Sequence, residues 1–278
     1  MVESFAIVSR LAARGAGAAL AVFLLSSCAT HQSAAAQLSP HRAFYSIRLG
    51  TANQGASIVA ARGSMSMTFE QSCEGWVMRQ QMSMALETSD GKVIDQDTRY
   101  GGLESFDGLT YRFGSFSKAD DDKLNYRGTA RLPKTGAPGL ARYSDPESKS
   151  VPLPAGTLFP TSHTIQLIEA AKKGARYLIR PLFDGTEGKG AEEVSTFIGP
   201  RREADSFKGA VQSQLLNHPG WPIRMAIFES EKQEPEPEYE MGFLQLENGV
   251  SPYLEINYSD FTLIFDLQKI ENLPQPHC

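Results

Sequence analysis

Residues 64–87 read SMSMTFEQSCEGWVMRQQMSMALE. Met65, Met67 and Phe69 alternate with Ser66 and Thr68, and Met82, Met84 and Leu86 alternate with Ser83, Ala85 and Glu87. Successive side chains of a strand point to opposite faces, so this pattern predicts two strands, each with one apolar and one polar face.

The same period continues in both directions. Upstream, Tyr45, Ile47 and Leu49 flank Ser46 and Arg48. Downstream, Tyr111 and Phe113 flank Arg112, and Ile223, Met225 and Ile227 flank Arg224 and Ala226. Leu244 and Leu246 flank Gln245. Leu254, Ile256 and Tyr258 precede a further run of Leu263, Phe265 and Leu267. Between these runs lie Asp90-Gly91, Asp107-Gly108, Asp184-Gly185 and Asn248-Gly249, dipeptides that suit turns with positive φ. The pattern predicts an all-β, antiparallel fold of about a dozen or more strands. A sheet that large must curl, close or split.

One helix is predicted. Ser162 is its expected N-cap. Ile165, Leu167, Ile168, Ala170 and Ala171 form the apolar stripe, Lys172 and Lys173 the basic end, and Gly174 the residue beyond it. Glu203 to Leu216 carries no decisive pattern. Gln233 to Glu238, with Pro235 and Pro237, reads as an exposed loop. Leu273-Pro274-Gln275-Pro276-His277-Cys278 reads as an extended tail, because its prolines bar a final helix.

Residues 1–36 read as an export signal and residues 37–278 as a single β domain. Arg10 and Arg14 supply the positive region, and residues 16–25 an apolar stretch of ten. A membrane-spanning helix needs about 20 such residues. Two processing sites compete. Leu25-Ser26-Ser27-Cys28 matches a lipobox, in which Cys28 would be lipidated and tether the protein to a membrane; Ala34-Ala35-Ala36 suits ordinary signal peptidase. The expected location is outside the cytoplasm, free or tethered through Cys28. Once Cys28 is lipidated or removed, Cys73 and Cys278 remain. In an oxidising compartment they can pair; otherwise they are two free thiols.

Charge excludes some roles. The chain of 278 residues carries a net charge of −5, and removing the +1 of Glu3, Arg10 and Arg14 leaves −6. With no basic block, nucleic-acid binding is not expected. At 41% apolar residues there is material for a true core.

Catalytic signals are sparse. None of the five histidines, His31, His41, His163, His218 and His277, stands at metal-ligand spacing, and no nucleophile elbow, phosphate loop or dinucleotide fingerprint occurs. No cofactor or metal is expected. His163, in the stretch Leu153 to Thr164, is the most notable; Gly156, Pro160 and His163 read as a structural motif that packs the helix onto the sheet, with the imidazole hydrogen-bonded locally. Asp120-Asp121-Asp122 lacks the alternation of a calcium loop. The methionine-rich strands read as core, with an adaptable ligand cavity as the alternative.

The runs Leu38-Ser39-Pro40-His41-Arg42-Ala43-Phe44-Tyr45, Ser72-Cys73-Glu74-Gly75-Trp76, Gly156-Thr157-Leu158-Phe159-Pro160-Thr161 with His163, Phe183-Asp184-Gly185 and the terminal Cys278 together resemble the EipB-type cell-envelope integrity proteins. The resemblance covers essentially the whole mature chain. It implies a periplasmic open, spiral-like β-barrel and a Cys73–Cys278 disulfide. It also implies a non-enzymatic role in envelope integrity, with protein partners among which a tetratricopeptide-repeat protein is expected. A lipobox at Cys28 would be a departure from the soluble form expected of the family. Two other readings stand beside this one: a periplasmic carrier holding a lipid or lipoprotein acyl chain in the curved sheet, and a hydrolase built around His163.

Overall fold

A computed structural model describes residues 37–120, 122–204, 209–228, 236–276 and Cys278. The segment read as an export signal, with Cys28, lies outside the described residues, as do Asp121 and His277.

The described residues form fourteen strands and one α-helix. The strands are β1 (His41–Ala52), β2 (Ile58–Gln71), β3 (Gly75–Thr88), β4 (Val93–Ser105), β5 (Thr110–Ala119), β6 (Asp122–Arg131), β7 (Gly139–Asp145), β8 (Lys149–Leu153), β9 (Tyr177–Leu182), β10 (Glu192–Ile198), β11 (Gly220–Phe228), β12 (Tyr239–Leu246), β13 (Tyr253–Asn257) and β14 (Phe261–Asn272). Helix α1 (Pro160–Lys172) separates β8 from β9, and Gln214–Leu216 adds a 3-10 turn within the stretch that had no pattern. Each run with period two is a strand, and the tail from Leu273 is extended as its prolines require.

All fourteen strands belong to one antiparallel sheet, ordered β8-β7-β6-β5-β4-β3-β2-β1-β14-β13-β12-β11-β10-β9. Consecutive strands are neighbours except β8 and β9, and β1 pairs with β14. The sheet is open, with β8 and β9 at its ends. The segment after β8 turns along β9, where Leu158 makes a parallel bridge to Leu182.

Curling shows in what the helix touches. Leu167, Ile168 and Ala171 of α1 share a cluster with Phe69 of β2 and, at distant places in the sheet order, with Leu178, Val194, Ile223 and Met225 of β9 to β11. Trp76 and Met78 of β3 also pack there. Only a sheet wrapped around the helix brings those strands to it. Met65 and Met84 are buried in a second cluster with Tyr45, Ile47, Leu263 and Phe265, so the methionine-rich strands fill core. A third, aromatic cluster holds Tyr111, Phe113, Tyr143, Phe159 and Phe183.

The same topology unites the two cysteines. β2 and β14 both run antiparallel to β1, and His41 at the start of β1 lies opposite both Phe69 and Asn272. The two strands therefore end side by side, about 10 Å apart at two strand spacings. Cys73 caps the β2–β3 turn, the tail after Asn272 crosses the gap, and the disulfide joins Cys73 to Cys278 with Cα atoms 5.7 Å apart.

Candidate functional site

Much of the buried polar chemistry of this chain collects where α1 begins. Gly156 takes a positive φ of 83° in the turn after β8, and the Thr157 hydroxyl donates to Pro154 O at 2.7 Å. Leu158 N donates to Pro181 O and accepts through its own carbonyl from Phe183 N, which fixes the segment on β9. Phe159 is fully buried and stacks on Tyr111 with centroids 5.2 Å apart. Pro160 then opens the helix at its first position, where its missing N–H costs nothing.

The helix start departs from the sequence expectation. The N-cap residue is Phe159, without a side-chain cap, and Ser162 lies inside the first turn. The cap comes from across the fold. Glu104 of β4 accepts from Thr161 N at 2.7 Å, from Ser162 N at 2.8 Å and from the Ser162 hydroxyl. Its side chain thus serves free N–H groups that a helix N-terminus leaves unpaired, at the end where the dipole favours negative charge. Glu104 is only 2% exposed. Burial pushes its carboxyl upward, and the hydrogen bonds from Ser162 and Thr161 oppose that. Gly75 lets β4 approach β3 here: with φ 157°, a Cβ would lie 1.9 Å from Glu104 O.

At the C-terminal end the expectation holds. Gly174, with φ 79°, donates to Ala171 O while Ala175 N donates to Ala170 O, the paired bonds of a Schellman cap.

Around the helix start lies a set of buried polar groups. The Tyr100 and Tyr111 hydroxyls bond to each other, and the Tyr143 hydroxyl donates to Lys189 O at 2.8 Å. Asp184 accepts from Thr186 N at 2.9 Å and from its hydroxyl at 2.8 Å. Burial raises the Tyr100, Tyr111 and Asp184 side chains above their ordinary pKa values. Next to them Glu187, Glu192 and Glu238 each place a carboxylate oxygen within 4.8 Å of the others. Burial, and then repulsion from Asp184, pushes Glu192 up to about 8. This is the group of carboxylates that could share a cation, though acidic clusters at a surface are common without one.

His163 differs from expectation. It is 4% exposed, and its Nε2 finds no hydrogen-bond partner among the described residues. Burial, with a smaller contribution from Arg180, lowers its pKa to about 4, so it is neutral near pH 7. Among the described residues no serine or cysteine side chain is hydrogen-bonded to its Nε2, the contact that nucleophilic catalysis by a histidine base requires. Because the folded pKa lies below the unfolded value of about 6.5, the contribution of neutral His163 to stability is complete above pH 6.5. It is lost as pH falls toward 4. Thermal unfolding across that range should show His163→Leu losing less stability than wild type, the gap being on the order of 3 kcal/mol. Parallel curves would show that the histidine does not titrate between the two states.

These features define an open antiparallel β-barrel wrapped on a single helix, with a disulfide pinning its C-terminal tail to the β2–β3 turn, whose buried polar groups hold the helix. The chain belongs to the EipB-like family, whose profile matches residues 32–274. It is 28% identical over 268 residues to the cell envelope integrity protein EipB of Brucella abortus (strain 2308), covering 94% of each chain. A crystal structure from Brucella abortus, described as a beta-barrel-like protein of a domain of unknown function, superimposes with a TM-score of 0.78 at 25% identity. That match covers 86% of this chain and 100% of the other.

Proposed function

We propose that this protein maintains the integrity of the cell envelope from the periplasm, as a non-enzymatic, disulfide-locked scaffold that acts through contacts with other proteins. A tetratricopeptide-repeat protein is the partner expected from the family resemblance. The observation that carries this reading is the occupied inner face. Helix α1 and three apolar clusters fill the concave side of the sheet, which leaves the outer surface for recognition. The name of the Brucella relative supports the envelope role. The family disulfide belongs with an oxidising compartment, and no described helix is long and apolar enough to cross a membrane. A lipid carrier would have to displace α1 from the concave face, and a hydrolase would need a nucleophile beside His163.

The test is complementation. Deleting the gene in its own bacterium should make the envelope sensitive to detergent and to large antibiotics. The exported wild type and His163→Leu should both restore resistance, whereas the chain without residues 1–36 should not. Restoration by the unexported chain, or its loss with His163→Leu at normal protein levels, would overturn the reading.

A further inference from the structure

A groove of about 680 Å³ lies on the outer face of β3 to β7. Its walls carry Arg79, Arg112, Arg127 and Arg142 and no carboxylate, on a chain with five more acidic than basic residues. The strand register assembles it. One row across the sheet runs Arg79, Gly101, Gly114, Arg127; the next runs Val77, Leu103, Arg112, Thr129, Arg142. The opposite face of the same strands buries Phe113 and Tyr143, so both arginine rows point outward.

Gly101 and Gly114 form the floor between the arginines, and packing does not require them. A Cβ on either would meet nothing closer than 3.8 Å, and neither has a positive φ. Gly102 and Gly128 on the inner face are different: a Cβ there would strike Tyr111, or Phe113 and the Arg142 carbonyl, at 2.3–2.8 Å. Glycine inside a strand weakens it and marks places where another backbone or a ligand comes close. Arg79 and Arg112 are lent to Glu70 and Glu74 in exposed ion pairs, a kind worth little and easily exchanged. Arg127 and Arg142 have no ion-pair partner among the described residues. Asp145, opposite Arg127, accepts instead from the Ser144 hydroxyl.

We propose that this groove binds an extended, acidic segment of a partner protein, laid across the strands with carboxylates on the arginines. This rests on the reading above that the protein acts through protein contacts. The spacing favours a peptide over a single phosphate. Arg79 and Arg127 stand about three strand spacings apart, roughly 14 Å, and Arg112 and Arg142 roughly 10 Å. The cations are spread along a line rather than converging on one point, and extended peptide advances about 3.3 Å per residue, placing carboxylates at such intervals. Guanidinium forks hold carboxylates in two parallel hydrogen bonds.

The probe is a fluorescent dodecapeptide of alternating glutamate and leucine, titrated against the mature protein by anisotropy. Wild type should bind it saturably and lose it at ~1 M salt, where the Debye length is about 3 Å. The glutamine counterpart should bind at least about tenfold more weakly, as should the peptide to Arg127→Ala/Arg142→Ala, since charge-assisted bonds are lost. The decisive variant is Gly101→Thr/Gly114→Thr. Threonine suits strands, so its melting temperature should match or exceed wild type while binding falls about tenfold or more, as expected for a blocked floor. Undiminished binding by that variant, no saturable binding, or preference for phosphatidylglycerol vesicles through the same arginines would overturn the proposal. Such a failure leaves the complementation result standing, whereas rescue by the unexported chain would strike the envelope reading and leave groove binding intact.

Discussion

Cys73→Ser should lower the stability of this protein more than any other conservative change in it. The disulfide closes a loop with a sequence separation of 205, and cross-linking a loop of that length restricts the unfolded chain by up to about 5 kcal/mol. In the folded state the cost is concentrated at one seam. β14 pairs with β1, and the tail beyond Asn272 is held by Leu273 N donating to Pro40 O and by the disulfide. Without the bond, the tail should fray and become the first site of proteolysis. Denaturant unfolding should show a lower midpoint for Cys73→Ser and Cys278→Ser, with wild type in reductant matching both. Equal midpoints for oxidised and reduced wild type would show that strand pairing holds the tail and the β2–β3 turn together unaided.

Glu104→Ala should be the most damaging single change away from the cysteines. It would leave Thr161 N, Ser162 N and the Ser162 hydroxyl without their acceptor, in a place nearly closed to water. A buried group that loses its partner costs about 1–3 kcal/mol, so a total of roughly 3–5 kcal/mol is expected for this helix start. Glu104→Gln keeps one carbonyl acceptor and should cost about half as much. Because Glu104 ties β4 to α1, the loss should also loosen Phe159 from Tyr111, visible as a weaker near-ultraviolet circular dichroism signal. A Glu104→Ala protein with unchanged unfolding midpoint would show that water or backbone rearrangement satisfies the helix end.

Glu104 also shows where sequence reasoning reaches its limit. The strands were legible because burial alternates with the side-chain period: Met65 and Met84 fall on the inner face as their spacing requires. The turns were legible from Asp-Gly and Asn-Gly, and the end of the helix from Gly174. The start of the helix was not, because its cap is 57 residues away in sequence from Thr161 and sits in a strand where a glutamate looks like one more solvent-facing charge. Ser162 looked like a cap because its type is right; Pro160 was the better signal, being suited to a first helical turn. His163 was expected to find a local partner, and its buried Nε2 has none among the described residues. The four groove arginines lie on β3, β5, β6 and β7, and only the register of those strands shows that they share one face.

The measurement that tests the account most directly is the intact mass of the protein purified from its own envelope, alkylated with and without prior reduction. The account predicts a chain freed of its export signal, in which Cys73 and Cys278 react only after reduction. The same spectrum reads an acyl mass on Cys28, or cleavage after Ala36, and so separates the tethered from the free periplasmic form. An uncleaved chain, or two thiols that react without reductant, would contradict an exported scaffold locked by a Cys73–Cys278 disulfide.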